Sequence, residues 1–219
     1  YNFGGVLANL IAVLAVAPFF LIADNPFVGE AIVIFILAGV FLIIINGVPM
    51  KISGAGNDAY NMIALRKNML SKRGLVDALR ANSLIQEGIR PKDMPDEWFV
   101  VPDNIDYRNQ LEVSIPIMAA SRLIDEMEYQ KALVDFERLY SRKDKIIGLY
   151  VKEIACELVF LRLICGNIEG AKALLDPMLM KYIETYRKMM SSKERILCAI
   201  ELKINNDRDN ALKIYQDLD

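Results

Sequence analysis

Two apolar runs, separated only by Asp24-Asn25-Pro26, fill the first fifty residues and constrain the fold more than any other feature. Residues 6–22 are apolar apart from Asn9 and Pro18, and fifteen unbroken apolar residues run from Ala31 to Ile45. With their flanks, about 4–23 and 27–47, both reach the roughly 20 residues that cross a bilayer core. Neither has a polar face, so burial within a large soluble protein is disfavoured. A cleaved leader is also disfavoured, because no basic segment precedes the first run and a second run follows at once. The pair reads as a transmembrane helical hairpin turning at Asp24-Asn25-Pro26.

Charge sets its expected orientation. Residues 1–50 contain no Lys or Arg and two acids, Asp24 and Glu30. All 26 basic residues lie beyond them, with Lys51, Arg66, Lys67, Lys72 and Arg73 crowding the end of the second span. The positive-inside rule then places the later chain in the cytoplasm and the Asp24 turn outside, giving a multi-pass protein of the cell membrane. Beyond residue 50 acids and bases balance, so no basic footprint points to nucleic acid. The three Cys form no CxxC pair and fit small buried hydrophobes in a reducing compartment. There is no His, which excludes a Ser-His-Asp or Cys-His site and any His-ligated metal site made by these residues alone. The first residue is Tyr1, and the chain is expected to be part of a longer protein.

The fold class expected is all-α, in three parts. Residues 1–72 form the membrane domain, with the two spans, a polar Gly-rich segment from Asn46 to Tyr60, and a helix from Ala59 to about Lys72. Residues 73–103 hold a helix and a Pro-rich linker. Gly74 is expected to interrupt the helical run, and Leu75, Leu79, Ile85 and Ile89 to form the buried face of the next helix. Trp98 is expected to pin the linker to a helical domain. Asn9, a polar amide among apolar residues, is a candidate membrane polar site or helix-pair contact.

Residues 104–219 carry a loose repeat. Arg122-Leu-Ile-Asp-Glu-Met-Glu-Tyr-Gln-Lys-Ala132, Arg162-Leu-Ile-Cys-Gly-Asn-Ile-Glu-Gly-Ala171 and Lys203-Ile-Asn-Asn-Asp-Arg-Asp-Asn-Ala211 each end a helix, turn, and open another at Ala. The three Ala are 39 and 40 residues apart. Apolar residues follow at helical spacing: Leu133/Phe136/Leu139, Leu174/Leu175/Met178 and Leu212/Tyr215/Leu218. Ser191 and Glu194 are spaced as a capping box. The pattern resembles tetratricopeptide-like helix hairpins, with a period longer than the usual ~34 residues. Such stacks bind peptides in a concave groove, so a peptide or protein partner is expected; a plain helical bundle is the alternative. No Gly-rich phosphate loop appears.

Residues 3–60 resemble the later part of the catalytic core of site-2-type intramembrane zinc metalloproteases. The first span opens Gly4-Gly5-Val6-Leu7-Ala8-Asn9-Leu10, similar to that family's Gly-x-x-x-Asn segment. The second leads into Asn46-Gly47-Val48-Pro49 and then Asn57-Asp58-Ala59, similar to its Asn-x-x-Pro…Asp-Gly motif, with Ala59 where Gly is usual. The tail, including Arg90-Pro-Lys-Asp-Met-Pro-Asp-Glu-Trp-Phe99, looks like the cytosolic extension of bacterial members. The resemblance implies Asp58 as the third protein ligand to zinc, Asn46 and Pro49 lining a substrate cleft, and Asn9 as a packing or polar-site residue. It implies hydrolysis of a membrane-protein substrate by zinc-bound water, whose pKa the metal lowers to about 7. The HExxH helix that supplies the other ligands and the general base is absent, so no catalytic residue lies in this sequence and it cannot hydrolyse anything alone. Read without the resemblance, Asp58 is a helix N-cap. The rival function is a membrane-anchored adaptor whose repeat domain captures a partner.

Overall fold

The computed structural model describes residues 4–52 and 55–216. They are helical almost throughout and fall into two compact units, residues 1–72 and 73–219.

The first unit is built on an antiparallel helix pair. Helix α1 spans Gly4–Val16 and continues as a tighter 3-10 turn over Ala17–Ile22. The change falls at Pro18, which lacks the N–H that an α-helical ladder needs. Helix α2 spans Pro26–Gly47, with Pro26 in its first turn and the Asn25 side chain accepting from the Phe27 amide at 2.9 Å. Val6 and Val13 of α1 and Phe20 of its 3-10 continuation, seven residues apart, put one stripe against Gly47, Gly39 and Gly29 of α2. A Cβ at Gly39 would lie 2.4 Å from Val13 Cγ2, so a side chain there would force the helices apart. Little else on the pair is covered: only 11% and 6% of the most apolar stretches of the two helices is buried, and Leu21 and Phe27 are more than four-fifths exposed. At 19 and 22 residues, both helices are long and apolar enough to cross a membrane, and neither is a core helix.

After α2, strands β1 (Lys51–Ile52) and β2 (Ala55–Gly56) pair antiparallel, Lys51 opposite Gly56. Helix α3 covers Asp58–Lys67 and α4 Met69–Gln86. The helix expected from Ala59 to Lys72 is therefore two. Asn68 leaves helical geometry at φ −134°, and its side chain accepts from the amides of Leu70 and Ser71, which opens α4.

Gly74 does not interrupt α4; it lets the helix approach another backbone. A Cβ at Gly74 would lie 1.9 Å from the Leu111 carbonyl oxygen. The buried face of α4 is accordingly Gly74, Asp77 and Ala81, while Leu79, Ile85 and Ile89 are exposed. At Gly74 the approach is too close for any side chain, and Asp77 is buried with Arg73 and Arg80 as its ion-pair partners.

The linker is held by arginines. Arg73 donates to the carbonyls of Glu97 and Val100 at 2.8 Å each, Arg80 lies over the Trp98 ring, and Arg122 covers Phe99 and pairs with Asp96 at 2.6 Å. The Trp98 ring contributes one contact to this anchoring, the Arg80 guanidinium 5.8 Å from its centre.

Helices α5 (Gln110–Asp125), α6 (Tyr129–Tyr140), α7 (Gly148–Ile164), α8 (Ile168–Leu174), α9 (Pro177–Tyr186), α10 (Ser191–Ile200) and α11 (Arg208–Gln216) complete the second unit. Helix α7 is apolar on nearly every side and sits at the centre, with Ile154, Cys156, Leu158, Val159, Leu161 and Leu163 at most 1% exposed. A π turn, Glu201–Asn205, extends α10. The turns α5–α6, α7–α8 and π turn–α11 pass through left-handed residues Met127, Gly166 and Asn206. Each stands five residues before a buried Ala: Ala132, Ala171 or Ala211. In the first two turns the amide after the left-handed residue bonds back five residues, Glu128 to Leu123 and Asn167 to Arg162. In the third the reach is six, Asp207 to Glu201, because the π turn adds a residue.

Two sequence expectations fail locally. Residue Met190, not Ser191, stands at the α10 N-cap, with no side-chain cap, because the helix has already begun at Ser191. Along α11 the buried residues are Ala211 and Ile214, while Leu212 and Tyr215 are exposed; Leu218 lies outside the described residues.

Candidate functional site

The segment joining α2 to α3 is organised by one side chain, Asn57. Its Nδ2 donates to the carbonyls of Ile45 and Val48, both at 2.5 Å, and its Oδ1 accepts from the amides of Met50 and Tyr60 at 3.1 and 3.0 Å. The Asn57 amide also donates to the Met50 carbonyl at 3.0 Å. Two donors and two acceptor sites are all that a carboxamide offers, and all are used. Asn57 therefore closes the C-terminal end of α2, fixes the turn after it, and caps α3. Around it the Tyr60 ring lies where a Gly56 side chain would be, Asn61 donates to the Gly56 carbonyl at 2.9 Å, and the Lys51 ammonium sits 4.9 Å from the Tyr60 ring centre.

Asp58 is the first residue of α3, one position inside the cap. It is half-buried, and no group among the described residues hydrogen-bonds or pairs with its carboxylate. A negative charge suits the first turn, where unpaired backbone N–H groups point. The helix-cap role open to Asp58 from sequence is taken by its neighbour, and its oxygens remain available. Asn46 is half-buried in the last turn of α2, its Nδ2 donating back to the Leu42 carbonyl at 3.2 Å, and Pro49 is exposed just beyond. Asn57 thus gathers Asn46, Pro49 and Asp58 into one connected segment, although no bond links the three side chains. Asn9 stands apart in α1, half-buried, three residues after Val6 and four before Val13, on the seam with α2.

Among the described residues no group of three or more His, Cys, Asp or Glu is placed to hold a metal ion. A zinc site needs three or four protein ligands, of which Asp58 could supply one carboxylate.

The second unit holds a buried polar cluster and a groove. Glu153 accepts from the Tyr182 hydroxyl and, at 2.6 Å, from the Lys193 ammonium, whose side chain has no exposed surface. Burial foremost, with Glu153 adding to it, pushes the Tyr182 hydroxyl well above the usual phenol range. Burial pushes the neighbouring Cys156 thiol up to about 11, so it carries no thiolate at neutral pH and is no nucleophile. Burial likewise raises Glu157, against the opposing pull of Arg195 at 2.6 Å. The Glu153–Lys193 and Glu157–Arg195 pairs fasten α7 to α10, and the Tyr182 hydroxyl ties α9 to α7.

The groove lies beside them. A largely apolar cavity of about 470 Å³ is lined by Phe160 and Ile164 of α7, Arg195 and Ala199 of α10, Leu202 and Lys203 of the π turn, and Tyr215 of α11. A second cavity of about 250 Å³ shares Phe160 and Arg195 with it and reaches Tyr129 and the Arg90–Asp125 pair. Sequence reading missed this groove and Asn57. No family model, no curated protein and no solved structure matches the chain.

Proposed function

We propose that this chain is the C-terminal part of an intramembrane zinc endopeptidase, with Asp58 as one protein ligand and a tetratricopeptide-like helical domain on the cytoplasmic side. The observation that carries the reading is the division of labour between Asn57 and Asp58. A carboxylate that serves only as a helix cap should be bonded to the helix; this one is held at the head of α3 with its oxygens unengaged, on a segment fixed by its neighbour. Asn46 and Pro49, on the same segment, line the cleft for a membrane-protein substrate, and Asn9 is a polar site in the first span. The remaining zinc ligands and the general base come from residues outside this sequence, and the hydrolytic steps belong to them. The two apolar helices support a multi-pass location in lipid, and the three left-handed turns with their buried Ala residues support the helical-repeat assignment.

The test is Asp58→Asn in the longer protein. Accumulation in the membrane should be unchanged and cleavage of a membrane-tethered reporter abolished; retained cleavage contradicts the reading.

A second reading is favoured by the groove of the second unit: a membrane-anchored adaptor that captures a partner without cleaving it. The coding sequence upstream of Tyr1 separates the two. An HExxH in a preceding apolar helix supports the peptidase, and its absence leaves the adaptor.

A further inference from the structure

The lining of the groove describes its occupant. Among the described residues, the charged side chains lining the 470 Å³ cavity are both cations, Arg195 and Lys203; Asp209 and Arg208 line an adjoining cavity that shares Leu202 and Tyr215. Lys203 has no ion-pair or hydrogen-bond partner among the described residues. Arg195 spends one N–H on Glu157 at 2.6 Å and stacks on Phe160 at 4.2 Å, and its side chain is 36% exposed. A guanidinium has five donors, so Arg195 retains capacity for a second carboxylate. The walls between these cations are apolar and uncovered: Ile164 is 39% exposed, Leu202 41% and Tyr215 64%.

Two backbone features present that surface. The π turn Glu201–Asn205 places Leu202 and Lys203 on the wall; such turns cost hydrogen-bond geometry and recur at functional sites. Helix α11 turns Leu212 and Tyr215 outward and buries Ala211 and Ile214 instead. An apolar patch rimmed by charge marks an interaction surface.

We infer that the groove between α7, α10 and α11 binds an acidic peptide segment of a partner protein, an apolar side chain entering the cavity and flanking carboxylates meeting Arg195 and Lys203. Basic segments are excluded by the same charges, since like charges brought together in a partly desolvated site repel. The inference rests on the helical domain being a partner-binding module, the adaptor property that the peptidase reading also allows.

The experiment uses the whole chain in detergent micelles and three degenerate twelve-residue peptide pools. Each pool fixes a central Leu or Phe, and the flanks are Asp/Glu, Lys/Arg or Ser/Asn/Gln. Binding is read by fluorescence anisotropy at ~0.1 M salt, where attraction between exposed charges still reaches about 10 Å. The acidic pool should bind at least tenfold more tightly than the basic pool. Lys203→Glu, at an exposed position with no bonds to lose, should remove that preference, and Tyr215→Ala should weaken all binding to the acidic pool. Equal binding of acidic and basic pools, or a preference that survives Lys203→Glu, overturns the inference while leaving a partner-binding domain. Failure of every pool to bind overturns both.

Discussion

Replacing Asn57 by Ala should loosen the whole segment between α2 and α3, and replacing Asp58 by Ala should not. Asn57 loses four side-chain bonds: two to carbonyls at the end of α2, one to Met50 and one to Tyr60. Each neutral bond contributes roughly 0.5–1.5 kcal/mol net. The segment is only partly buried, so water replaces some of what is lost, and the sum is about 2–4 kcal/mol for local opening. Asp58→Ala removes only a favourable charge in the first turn of α3, worth about 0.3–1 kcal/mol. Amide hydrogen exchange of residues 50–61, followed by mass spectrometry in micelles, reads the difference. At about 1.4 kcal/mol per decade, Asn57→Ala should cost roughly 30-fold or more in protection and Asp58→Ala less than tenfold. Proteolysis after Lys51 should accelerate in parallel. Comparable loss in both variants would show that Asp58 bears structural load after all, and the division of labour between the two residues would fall.

Other variants probe the rest of the fold. Gly74→Ala gains about 1 kcal/mol of helix propensity but drives a Cβ into the Leu111 carbonyl, and overpacking of that kind costs typically 1–3 kcal/mol, so a lower unfolding temperature is expected; a rise would refute the close approach. Met127→Gly should stabilise and Gly166→Ala destabilise, each by about 1 kcal/mol, since both positions are left-handed; effects of the same sign would contradict the shared turn geometry. For topology, cysteines engineered at Asn25 and at Ser141 in a Cys-free background should differ towards an impermeant reagent on intact cells, Asn25 reacting and Ser141 protected. Labelling of Ser141 alone reverses the orientation.

The parts of this structure that were legible in the sequence are those set by composition and period. Two apolar runs around Asp24-Asn25-Pro26, with Glu30 their one charged residue, leave little choice but a helix pair, and the recurrence of Ala132, Ala171 and Ala211 marked three turns. What could not be read depended on tertiary neighbours. Asn and Asp are nearly equivalent caps, so Asn57-Asp58 does not say which one caps α3; the Ile45 and Val48 carbonyls decide it by engaging Asn57. Gly74 resembled a breaker because propensity is local, whereas its role is an approach to Leu111, remote in sequence. The buried face of α4 follows the same approach: Leu79 and Ile85 have the right spacing for a core, but Gly74, Asp77 and Ala81 are buried and the two apolar residues are exposed. The groove was hidden because exposed Leu212 and Tyr215 look like core residues until the burial of Ile214 turns them outward.

The peptidase reading stands most directly on the metal. The measurement is the zinc content, by mass spectrometry, of the longer protein purified in detergent with Asp58 replaced by Asn or Ala and Asn57 intact. Asn keeps the size of the side chain without the charge, and a neutral amide is a poor substitute for an anionic oxygen on Zn²⁺. Because Asn57 caps α3, neither variant disturbs the fold of the segment. The account predicts about one zinc per parent chain, with most of it lost from both variants while hydrogen exchange of residues 50–61 stays close to that of the parent. Full zinc in Asp58→Ala, or none in the parent, contradicts the ligand role and leaves the adaptor.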